Sequence, residues 1–254
     1  MEITILGTGT SQGVPIIGCD CEVCSSVSDK DRRLRCSVYI TVEGKNLLID
    51  CGPDFRQQML RENICKLDAI LITHEHKDHT SGLDEVRSFN FLQRCEMPVY
   101  SQKNTLRQLE NDYHYAFDSS KTAGVPRIKL IEVDSNKTFQ VEGLDVIPLP
   151  LMHKKLPIIG FRIGDFSYVT DANFISDDTL AKMQGTKILI INALQIEHHP
   201  SHFNLEEAIA TAKRIGSEST YFTHISHKLG LHEKVERSLP KSMLLAYDGL
   251  KLSL

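Results

Sequence analysis

The stretch Thr73-His74-Glu75-His76-Lys77-Asp78-His79 sets the tightest limit on what this chain can become. Three imidazoles and the carboxylate of Asp78 fall within the six residues from His74 to His79. The run 67–72 before it is apolar except for Asp68 and reads as a buried strand. The cluster therefore stands at a strand end, where a rigid backbone can hold ligands while their metal faces a cleft. On an extended segment His74 and His76 point to one side and can grip one ion, because side chains alternate along a strand. Asp78 and His79 lie just past the turn and can reach a second ion. Neutral imidazole suits zinc and its neighbours, and a carboxylate adds a hard oxygen. A solvated polar turn would be the bland account. So many ligand-type residues at one strand end argue against it.

A second group precedes it. Cys19-Asp20-Cys21-Glu22-Val23-Cys24 places three thiols within six residues. They are too close together for a sensible disulfide set but suit three corners of a tetrahedral zinc, with the fourth ligand coming from elsewhere. The chain holds seven cysteines, an odd number, and begins Met1-Glu2-Ile3-Thr4-Ile5-Leu6-Gly7, a strand pattern rather than a secretion signal. Thiols and metal ligation are thus favoured over a disulfide framework, and a soluble, cytoplasmic protein is expected. No apolar run approaches the ~18 residues that a membrane helix needs. A net charge of −4 weighs against a nucleic-acid partner, which usually calls for a basic face. It leaves room for a small anionic substrate, for which only local charge matters.

The pattern along the chain alternates strands and helices with no linker, low-complexity stretch or short repeat. The 254 residues are expected to form one domain, 1–254, with ample core. Strands are predicted over 3–6, 36–42, 45–49, 97–100, 129–133, 138–141, 144–149, 187–193 and 220–223. Hairpins are predicted over 161–169 and, closing the chain through Asp248-Gly249, over 243–254. Helices are predicted over 54–62, 81–93, 103–111, 205–215 and 232–239. Asn204 and Glu207 form a capping box for the helix at 205–215, which puts His202 just before a helix N-terminus, where anions are welcome. Gly7-Thr8-Gly9-Thr10 follows a strand, but no helix pattern comes next. Dinucleotide and P-loop readings therefore fail, leaving a tight turn or a loop lining a site. The aromatic-containing segment 113–126 has no clear period and is expected to face substrate.

His74-Glu75-His76-Lys77-Asp78-His79 matches the HxHxDH pattern of the metallo-β-lactamase superfamily. Over its whole length the chain resembles the phosphodiesterase branch of that superfamily. Within that branch it resembles the phosphoribosyl cyclic phosphate phosphodiesterases of phosphonate breakdown, and more distantly the tRNA-processing endonucleases. The motif is specific for the superfamily and weak for substrate. The resemblance implies an α/β fold of four layers, an αββα sandwich with metals at one edge between the sheets.

It also implies roles, residue by residue. His74, His76 and His153 would hold a first ion; Asp78, His79 and His224 would hold a second. Asp171 would bridge them, and Asp50 would support the ligands from behind. His202 would handle the leaving group's proton. His227 would complete the site of Cys19, Cys21 and Cys24. The cofactors so implied are two divalent ions, zinc or manganese, and one structural zinc. The activity implied is hydrolysis of a small, cyclic phosphodiester by a hydroxide between the ions. A carbonyl ester, thioester or lactone hydrolase on the same dinuclear site is the alternative. A tRNA-processing endonuclease is another, although the long basic arm of those enzymes has no evident counterpart. A homodimer remains open.

Overall fold

The structure, a computed structural model, describes residues 1–118 and 124–254. One sheet contains β1 (Glu2–Gly7), β2 (Ser37–Val42), β3 (Lys45–Ile49), β4 (Ala69–Leu71), β5 (Met97–Ser101), β6 (Ile128–Glu132) and, from the far end of the chain, β15 (Lys251–Ser253). The other contains β7 (Phe139–Val141), β8 (Leu144–His153), β9 (Leu156–Ile163), β10 (Phe166–Val169), β11 (Phe174–Ile175), β12 (Ile188–Asn192), β13 (Ser219–Thr223) and β14 (Met243–Leu245). Their orders are β15-β1-β2-β3-β4-β5-β6 and β11-β8-β9-β10-β12-β13-β14, with β7 paired to β8. Each sheet is antiparallel at one side and parallel at the other: β3 to β6 run parallel, as do β10, β12, β13 and β14.

Period-two alternation sorts the apolar side chains into layers. Ile3, Ile40, Leu47 and Ile49 from one sheet meet Val146, Phe161, Tyr168, Ile188 and Ile190 from the other in a central core. The alternate residues Leu48 and Ile70 face outward and pack beneath α1 (Phe55–Arg61), α3 (Arg87–Gln93) and α4 (Lys103–Asp112). On the other side Leu189, Ile191 and Phe222 pack beneath α6 (Asp177–Lys182) and α7 (Leu205–Ile215). Strands buried on both faces, such as Ile188-Leu189-Ile190-Ile191, therefore read as unbroken apolar runs. The result is the four-layer αββα sandwich.

Three expectations are corrected. The strands at 243–254 do not form a hairpin. β14 pairs in parallel with β13 in the second sheet, whereas β15 pairs antiparallel with β1 in the first. The intervening Asp248-Gly249 turn is drawn to the first sheet because Asp248 accepts bonds from Thr8 Oγ1 and Leu34 N, both at 2.7 Å, and Gly249 N donates to Ile5 O at 2.7 Å. The span 81–93 is not one helix but a 3-10 turn, Leu83–Val86, followed by α3. Its entry is pinned where Gly82 N donates to Cys51 O at 2.9 Å. Of the segment 113–126, residues 119–123 lie outside the described residues. Tyr113 and Ala116, within or beside the short α5 (His114–Phe117), are buried in the outer helical layer rather than facing a cleft.

Candidate metal centre

The site sits where strands of both sheets end at their C-terminal edges, the position at which open α/β sheets place ligands. From the first sheet come Asp50, one residue past β3, and His74 and His76, just past β4. Asp78 and His79 lie on α2 (Lys77–Thr80). From the second come His153, the last residue of β8, Asp171, two residues past β10, and His224, one past β13. Asp50, Asp171 and His224 all have left-handed backbones, with φ of 63°, 59° and 54°. Such non-glycine positions each cost about 1–3 kcal/mol and persist where surrounding structure over-determines them. Here the turn breaks the strand's alternation and directs each side chain into the cleft.

α2 is held against the Asp50-Cys51-Gly52 turn. Cys51 N donates to His79 O at 2.8 Å. A Cβ on Gly52 would lie 2.1 Å from Asp78 O, so only glycine permits this approach. Asp50 then reaches behind the cluster. It accepts bonds from Thr73 N and Oγ1 at 2.9–3.0 Å and lies 2.7 Å from His79 Nδ1. That holds His79 by its Nδ1–H and turns Nε2 toward the cluster.

The two oxygens of Asp171 divide the cluster. Oδ1 is 3.3 Å from His79 Nε2 and 3.2 Å from His224 Nε2. Asp78 Oδ2 completes this half, 3.2 Å from His79 Nε2 and 3.7 Å from His224 Nε2. Oδ2 faces the other half, 3.8 Å from His74 Nε2, which itself lies 3.0 Å from His76 Nδ1. Donor atoms of Asp78, His79, Asp171 and His224 all lie within 4.8 Å of one another, as do those of His74, His76 and Asp171. His153 enters the second half from the side, its ring 5.1 Å from that of His76. Its Nδ1 donates to the carbonyls of Asp171 and Ser201 at 2.7 and 2.8 Å, leaving Nε2 as the free lone pair. By donor distance it groups with Asp171 and His202. His202 sits over both halves: its ring stacks on His224 with centroids 4.8 Å apart, and its Nδ1 is 3.9 Å from Asp171 Oδ2.

The electrostatics are those of a cation site. Burial alone would raise Asp171, but the imidazoles of His224, His79 and His74 more than offset it and hold the carboxyl well below its ordinary range. Burial would lower His79, yet the carboxylates of Asp78, Asp171 and Asp50 push it well above normal. Burial holds His74 neutral, the ligating form. It also pulls His202 down to about 3. The buried Nε2 atoms of His79 and His224 have no hydrogen-bond partner among the described residues. Unpartnered buried nitrogens converging on a shared carboxylate are the donor set that divalent ions of the zinc group take, so the residues fit such ions.

The cysteine group assembles separately. His227 Nδ1 lies 3.3 Å from the sulfurs of Cys19 and Cys21 and 3.5 Å from that of Cys24. The Cys24 N–H, donating to the Cys21 sulfur, leads the lowering of Cys21 to about 6, whereas burial pushes Cys24 up to about 11. Three sulfurs and one imidazole nitrogen match a closed tetrahedral zinc site.

Sequence reasoning missed several supporting residues. Thr73 clamps Asp50, and Thr170 Oγ1 donates to Asp171 Oδ1 at 2.7 Å. Asn192 brackets Ala172, accepting from its N at 2.8 Å and donating to its O at 2.9 Å, which steadies the strained Asp171 turn. The one signal for Asn192 was a polar residue ending an otherwise apolar strand. Lys154 and Lys155 form the exposed two-residue turn between β8 and β9, and Lys154 N donates to Asn173 Oδ1 at 2.7 Å.

Known proteins agree with this architecture. Residues 45–225 match the β-lactamase superfamily domain family. The crystal structure of a new diphosphatase of the PhnP family superimposes with a TM-score of 0.93 at 42% identity, covering 100% of this chain and 97% of that one. An octanoyltransferase of Porphyromonas gingivalis is 42% identical over 99% of this chain, which spans only 51% of that protein's length. A ribonuclease Z of a Mycobacterium species (strain KMS) is 26% identical over 88% of this chain and 84% of its own. No helix among the described residues is long and apolar enough to cross a membrane. The chain belongs to the β-lactamase superfamily and has the metallo-β-lactamase fold, a fold that implies divalent metal ions.

Proposed function

We propose that this protein is a dinuclear metal-dependent phosphodiesterase that hydrolyses a small, cyclic phosphodiester. The observation that carries the reading is the division of labour at Asp171, whose two oxygens face two separate groups of imidazoles. In this reading His74, His76 and His153 would hold one ion and Asp78, His79 and His224 the other, with one Asp171 oxygen facing each group. Zinc and manganese both suit this mixture of imidazole and carboxylate. Cys19, Cys21, Cys24 and His227 would hold a third, structural zinc. When bound, the catalytic pair supplies Lewis-acid stabilisation of phosphoryl charge and a hydroxide at neutral pH.

The chain's own residues do the rest. Asp50 and the carbonyls of Asp171 and Ser201 fix the tautomers of His79 and His153. His202, neutral while buried and alone, gains a proton as an anionic diester enters, because a negative charge within about 4–6 Å favours the imidazolium. That proton then passes from the His202 ring to the departing alkoxide. The activities for which the PhnP-family diphosphatase and the ribonuclease Z are named, both at phosphorus, support this substrate class.

The test is a panel of cyclic and linear phosphodiesters, run beside a thioester and a lactone, with elemental analysis of the same protein. Diester turnover with about three ions per chain is expected. A metal-replete protein that cleaves only the carbonyl substrates would overturn the reading.

A further inference from the structure

Beneath the cleft lies a buried charge that the hydrolytic site does not use. Arg33 is 3% exposed. Its Nη1 donates to Thr8 Oγ1 at 2.9 Å and to Ala246 O at 2.7 Å, and its Nη2 lies 3.0 Å from His232 Nδ1. Burial draws the guanidinium down to about 10, which leaves it charged at neutral pH, with Asp248 and Asp31 as the leading counter-charges. A buried ion of this kind is a poor source of stability, since an apolar replacement of the same volume is often neutral or better. A reason for its presence is better sought in what it fixes.

What it fixes is a short path to the catalytic cluster. Thr8, fully buried, passes the contact on by donating from Oγ1 to Asp248 Oδ1 at 2.7 Å. The Thr8 carbonyl accepts from Ile225 N at 2.8 Å, and Thr10 N donates to Ile225 O at 3.2 Å. Gly9, between them, pairs with Ile225 on one side and Arg35 on the other. Ile225 is the residue after His224, whose left-handed backbone needs to be held from outside. The glycine loop 7–15 thus lies against the peptide that follows His224, and Arg33 ties that loop to Ala246, just past β14, and to α8 (His232–Glu236) at His232.

We infer that Arg33 is a positioning residue for one half of the metal centre, holding His224 in place through Thr8 and Ile225. Its planar fork reaches Thr8, Ala246 and His232 at once, which a lysine cannot do. The inference rests on His224 being a ligand of the second ion, as proposed above.

Titration with cobalt(II) tests it, because a thiolate-bound ion gives a charge-transfer band that histidine–carboxylate sites lack. In Arg33→Met, one of the two histidine–carboxylate sites should bind about 10–100-fold more weakly, the usual cost of losing an outer support. The other such site and the thiolate site should keep their affinities. Arg33→Lys should recover only part of the loss. Equal weakening of all three sites with a fall in Tm would mark Arg33 as merely structural and overturn the inference, as would unchanged affinities in a folded variant. Should Arg33→Met fail to fold, Thr8→Val removes only the hydroxyl link, and an unchanged second site there sinks the idea. A wild-type protein with fewer than two non-thiolate sites would instead defeat the reading of the centre on which the inference stands.

Discussion

The two candidate metal centres were built in opposite ways. Three of the four donors at the cysteine site come from one six-residue loop, half-exposed, and only His227 arrives from afar. The histidine–aspartate centre draws its donors from the ends of four strands in two sheets, and most of them are buried. A loop can close on an ion by itself and then gains folding free energy from it. A convergent site has to be made by the fold first. The two are joined only along the chain, since His224 and His227 lie on one short segment after β13.

The sharpest test of this contrast is at Asp171. Asp171→Ala should remove the shared carboxylate and cut turnover on the order of 10⁴-fold, with loss of catalytic metal but retention of the cysteine-site zinc. Loss of all metal together would break the proposed independence. His202→Ala should lower turnover by about 10²–10⁴-fold while elemental analysis shows metal content unchanged. A fall in metal content would make His202 a ligand. Asp50→Asn should weaken metal affinity or activity roughly 10–100-fold, because the His79 N–H loses its charged acceptor. Wild-type affinity and rate in that variant would remove Asp50 from the centre. Cys21→Ser should act on stability instead, lowering Tm by about 5 °C or more with loss of one zinc and only a small change in kcat. Unchanged zinc content and Tm would show that the cysteines are not a metal site.

Local features were legible because local physics decides them. The capping box appears as read: Glu207 N donates to Asn204 Oδ1 at 2.8 Å and Asn204 N to Glu207 Oε2 at 2.9 Å. The imidazole spacing of His74 and His76 and the crowding of Cys19, Cys21 and Cys24 also need no distant residue to be noticed. Asp50, Asp171 and His224 are different. Each stands alone at a strand end, and only resemblance pointed to it, since its left-handed backbone depends on contacts with Thr73, Asn192-braced Ala172 and the Thr8 loop. The closing strands failed for a related reason. Alternation shows that a segment is a strand but not which of two apolar-faced sheets takes it, and here a single carboxylate, Asp248, sends β15 across to β1.

By itself, then, the order of residues determined two metal-competent clusters, several of the helices and most strands, because periodicity and ligand spacing act over a few residues. Only the tertiary structure decided that Asp171 divides its oxygens between two groups of imidazoles and that Arg33 meets Thr8, whose carbonyl accepts from Ile225 N. Those relations depend on how two sheets stack and where the chain crosses between them, which no local pattern encodes.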